Sequence, residues 1–111
     1  MKKTILILGC VVLILSIGCK KSSDNNTTTK ITYTTDVKPI LNANCATSGC
    51  HVTGGQFPDL SNYSDSKTNV DDIISRMSLN TTDGGFMPQG GTKVQANIDK
   101  ITKWKTDGLN Q

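Results

Sequence analysis

The chain has 111 residues and a mass of 11.9 kDa, with 35% hydrophobic, 5% aromatic and 19% charged residues. That length allows one small domain and excludes a multi-layer α/β enzyme or a chain of repeats. From Cys19 onward there are ten Lys/Arg and nine Asp, a balance of +1, with no basic cluster of the kind a nucleic-acid footprint needs.

Residues 1–18 read as an address. Met1-Lys2-Lys3 is a short positive region, and the run from Thr4 to Ile17 is almost entirely Ile, Leu and Val. About 14 apolar residues are too few for a membrane-spanning helix, which needs ~20, and suit a secretory signal peptide. Leu15-Ser16-Ile17-Gly18-Cys19 resembles the lipobox of bacterial lipoproteins, with Gly18 as the small residue before the cut. The resemblance implies that Cys19 is lipidated. Cys10 has similar neighbours but too short an apolar run before it. The expected location is the periplasmic or outer face of a bacterial membrane, held by acyl chains. Residues 19–30, the lipidated Cys and a polar linker, contain no apolar side chain after Cys19 and read as disordered.

Residues 31–111 form the domain. Val37, Ile40, Leu41 and Cys45 have helical spacing, with Thr34, Thr35 or Asp36 as candidate N-cap and Pro39 in the first turn. Val70, Ile73, Ile74 and Met77 make a second helical face. Val94, Ile98, Ile101 and Trp104 make a third, with Gly108 as a stop. Paired glycines at 54–55, 84–85 and 90–91 mark long polar loops, and no stretch alternates long enough for a sheet. The expected class is all-α, with three main helices. Only 26 of the 79 residues between 31 and 109 are hydrophobic, so the core needs a disulfide, a metal or a large cofactor as a staple.

The candidate staple is Cys45-Ala46-Thr47-Ser48-Gly49-Cys50-His51, which brings two thiols and the only imidazole into seven residues. Three chemistries compete. Zinc held by Cys45, Cys50 and His51 lacks a fourth ligand for a closed site. A Cys45–Cys50 disulfide closes a very short loop and gives His51 no role. Covalent haem attachment uses all three residues, and its usual pattern is Cys-x-x-Cys-His. The spacing here is two residues longer, and Gly49 would let the extra residues loop outward.

Over about 79 residues the domain resembles a small class I cytochrome c. The residues that carry the likeness are Asp36-Val37-Lys38-Pro39-Ile40-Leu41, then Cys45…Cys50-His51, Met87-Pro88-Gln89-Gly90-Gly91, and Ile98…Ile101-Thr102-Lys103-Trp104. The resemblance implies a cytochrome c-like fold around one covalent haem c. Cys45 and Cys50 would form the thioethers, His51 would be the proximal iron ligand and Met87 the distal one. It also implies that a proline carbonyl orients His51, with Pro58 the candidate, and that Leu41 and Trp104 meet where the terminal helices cross. The function expected is one-electron transfer between redox partner proteins, by a membrane-anchored monomer that is not an enzyme. A haem-based small-ligand sensor and a disulfide-stapled interaction module are the alternatives.

Overall fold

A computed structural model describes residues 29–111. Residues 1–28, which include the expected signal peptide (1–18), Cys10, Cys19 and most of the expected linker, lie outside the described residues.

Helix begins earlier than the apolar spacing implies. Thr32, in extended conformation, is the N-cap, and its side chain accepts a hydrogen bond from the Thr35 N–H. It replaces the expected cap at 34–36 because its hydroxyl is the one positioned to meet a free N–H of the first turn. The chain then makes a π-helical turn, Tyr33–Val37, and continues as α1, Lys38–Asn44, with Pro39 in the first turn of α1. α2 spans Tyr63–Thr68, α3 Val70–Ser78 and α4 Gln95–Thr106. The class is all-α: among the described residues there is no strand, and only an isolated parallel bridge joins Thr32 to Asn110.

α2 has no counterpart in the three-helix expectation. Its sequence, YSDSKT, carries no apolar periodicity, and a cap starts it: the Asn62 side chain accepts from the Asp65 N–H at 2.9 Å. Val94, expected on the apolar face of the last helix, is instead the N-cap of α4 and is 42% exposed.

Val37, Leu41, Ile101 and Trp104 are fully buried in one core that also takes in Tyr33, Leu60, Ile73, Met77 and Ile98. α4 packs on α3 and on the π-helical turn, and the turn adjoins α1. Trp104 and Tyr33 pack at a tilt of 39° with ring centroids 5.7 Å apart, and Tyr63 meets Tyr33 edge-on at 5.4 Å.

The two ends of the domain are tied together beside this aromatic group. The Tyr33 N–H donates to Asn110 O at 2.8 Å, and the Ile31 N–H to Asp107 Oδ2 at 2.7 Å. Trp104 Nε1–H reaches the same Asn110 O at 2.7 Å, and the Tyr63 hydroxyl donates to Leu109 O at 2.6 Å. Gly108 (φ 101°) ends α4 in the left-handed region that glycine tolerates, as its stop role requires.

Candidate functional site

α1 runs out at Asn44, and the segment after it folds back on itself. Ala46 N–H donates to Leu41 O at 2.8 Å, Cys50 N–H to Thr47 O at 2.9 Å, and His51 N–H to Cys45 O at 3.0 Å. The last bond closes the seven-residue segment and returns His51 to the end of the helix that carries Cys45. Gly49 sits at φ 77° in this turn, where a side chain would be strained. The following loop is pinned to the same segment: Cys50 O accepts from the N–H groups of Val52 (2.9 Å) and Gln56 (2.8 Å), and His51 O accepts from Leu60 (2.9 Å). Gly55 passes so near that a Cβ there would run into Cys50 O and Val52 O.

His51 Nδ1 lies 3.0 Å from Pro58 O. A carbonyl only accepts, so in the neutral ring Nδ1 carries the proton and Nε2 keeps its lone pair. Pro58 is the residue that the family likeness pointed to. Its own loop is stiffened by Asp59, which accepts from Thr53 Oγ1 (2.6 Å), Ser61 Oγ (2.5 Å) and Ser61 N–H (3.0 Å). Those bonds, from Ser61 first and Thr53 next, hold the Asp59 carboxyl below its usual range.

Cys45, Cys50, His51 and Met87 all line one cleft of about 750 Å³. The volume falls within the ~300–1,000 Å³ typical of sites for small molecules and cofactors. The cleft combines the end of α1, the 47–60 loop, one face of α3 (Asp72, Ile73, Arg76, Met77) and the Met87-Pro88-Gln89 turn. Met77, which its helical spacing assigns to the core, is both buried and in the cleft wall; Arg76 is the one lysine or arginine among the lining residues. The helical spacing that puts Ile73 and Met77 on one face carried the signal for both roles. Phe57, also on the lining, is 84% exposed.

The two cysteines are unequal. Cys45 is buried and Cys50 exposed, and both are free thiols. Burial, with a smaller contribution from the charge on Cys50, pushes the Cys45 thiol up from 9.0 to about 11. Among the described residues no group of three or more His, Cys, Asp or Glu side chains is placed to hold a metal ion. The site therefore offers one imidazole lone pair, two thiols at different depths, and two thioethers, in a space large enough for a sizeable organic group.

No family model matches the chain, and neither a curated protein nor a solved structure matches it. Among the described residues no helix is long and apolar enough to cross a membrane.

Proposed function

We propose that this chain is a c-type monohaem electron carrier with a cytochrome c-like fold, tethered to a membrane surface through a lipidated Cys19 and exchanging electrons with redox partner proteins. The observation that carries the reading is the His51–Pro58 hydrogen bond. It leaves Nε2 as the ligating nitrogen of the only histidine, in a cleft that also holds Cys45, Cys50 and Met87.

The residues fit the group. Covalent haem needs two thiols, an oriented imidazole, a second axial donor and an apolar wall, and the cleft supplies Cys45 and Cys50, His51, Met87, and Leu60 with Ile73. Bound haem supplies an iron that alternates between the ferric and ferrous states by one electron. The protein's part is to hold and shield. Cys45 and Cys50 retain the group in a domain whose own core is thin. The Pro58 carbonyl keeps the imidazole from turning and makes it more basic. The Met87 thioether, on the same cleft, would be the second protein ligand to the iron and would favour its reduced state, which suits a carrier rather than a catalyst.

The test is a visible spectrum of the purified, reduced full-length protein together with a haem stain after denaturation. Colour that stays with the denatured chain is the expected result. A folded, colourless chain with Cys45 and Cys50 joined to each other overturns the reading.

A further inference from the structure

The geometry points to Lys93 as the residue that positions Met87: its ammonium group cinches the base of the Met87 loop onto α3. The inference rests on the reading of Met87 as the distal ligand. α3 ends at Ser78 and α4 begins at Gln95, so Met87 is carried on a long connection. Inside it the chain turns tightly, with Phe86 N–H bonded to Asp83 O at 3.0 Å and Gly91 N–H to Pro88 O at 2.9 Å.

Three interactions fasten this connection to α3. Lys93 Nζ donates to Ser78 O at 2.5 Å, Met87 N–H to Arg76 O at 3.3 Å, and Arg76 Nη1 to Gly85 O at 3.5 Å. The two that lie nearest Met87 are long, and hydrogen bonds of that length are weak. The Lys93 bond is charge-assisted and lies at the exposed surface. Its acceptor is at the C-terminal end of α3, where carbonyls lack partners within the helix and carry partial negative charge. It also joins the two ends of the loop, so it restricts every residue between them. Phe86, next to Met87 in the chain, is itself buried. Lys93 itself is not on the cleft lining and acts on Met87 through the loop.

Amide hydrogen exchange on the full-length protein as isolated, in wild type, Lys93→Met and Lys93→Arg, tests this. Lys93→Met should speed exchange at the Met87 amide about tenfold, the consequence of losing one charge-assisted bond, while Ile101 in α4 exchanges as before. Lys93→Arg should restore the wild-type rate. In the haem-loaded protein Lys93→Met should also weaken the far-red ferric band of methionine ligation without changing the mass added by the covalently bound group. Met87 exchange at the wild-type rate in Lys93→Met, an equal rise at Ile101, or an undiminished far-red band overturns the positioning role. A band that survives Met87→Ala instead overturns the ligand reading, and the exchange rates still decide whether Lys93 holds the loop.

Discussion

His51 and Pro58 are joined by a hydrogen bond of 3.0 Å that crosses the loop between them, from an imidazole Nδ1 to a backbone oxygen. Because the acceptor is backbone, it cannot be lost by substituting a side chain. The loop around it is held by Cys50 O and Asp59, so the imidazole orientation depends on how well that loop keeps its shape.

Gly49 and Gly55 therefore differ in kind. Gly49→Ala meets no atom within 4 Å but must adopt φ 77°, and should cost about 1–2 kcal/mol. Gly55→Ala drives a methyl group into Cys50 O, the acceptor for two loop N–H groups. It should cost more than Gly49→Ala and, unlike it, perturb the His51 ring signals in an NMR spectrum. Denaturant midpoints of the two variants give the comparison.

Replacing the cysteines separates attachment from folding. If the chain carries haem as proposed, Cys50→Ala, which removes an exposed thiol, should leave one covalent link, so that intact mass still includes the group. Cys45→Ala/Cys50→Ala should leave none. A mass spectrum under denaturing conditions reads both.

The two methionines of the cleft should divide. Met87→Ala should abolish the far-red ferric band. Met77→Ala should keep the band and lose about 2–5 kcal/mol of stability, because Met77 is 4% exposed within the main core. The absorption spectrum and a melting curve of each variant check the division.

In the chain prepared without a prosthetic group, Cys45 makes stability pH-dependent at the alkaline end. Its thiol is raised to about 11 in the fold, from 9.0. Below pH 9 both states keep the proton and the fold has its full stability. Between pH 9 and 11 the unfolded chain loses a proton that the folded chain retains, so stability should fall by about 1.4 kcal/mol per pH unit. Chemical denaturation across that range measures the slope, and Cys45→Ala should flatten it. Alkylation at pH 8 should mark Cys50 well before Cys45.

Trp104 is fully buried and also donates to Asn110 O. Trp104→Ala should cost about 3–5 kcal/mol. Trp104→Phe keeps most of the ring and removes only the indole bond, since Asn110 O still accepts from Tyr33 N–H, and should cost about 0.5–1.5 kcal/mol. Urea midpoints distinguish the two contributions.

Apolar spacing made α3 and most of α4 legible, because Val70, Ile73 and Met77, and Ile98, Ile101 and Trp104, are buried on single faces. It missed α2, which is built on the Asn62 cap and buries little more than Ser66 and part of Tyr63. It placed the first cap too late, because a hydroxyl three residues before a helical N–H says nothing of hydrophobic period. Cys45, Cys50 and His51 were nameable from residue type and spacing, and Met87 from the family resemblance. Their meeting in one cleft was not, since it depends on the backbone closure from His51 N–H to Cys45 O and on the turn after α3.

The bond from Ile31 to Asp107 and the bridge from Thr32 to Asn110 have a mechanical consequence. Tension applied along the chain ahead of Ile31 would pass directly into the end of α4 and the aromatic group beneath it. That entry point is remote in the chain from the turn that carries His51, so pulling ahead of Ile31 should strain the end of α4 before it strains the imidazole's support.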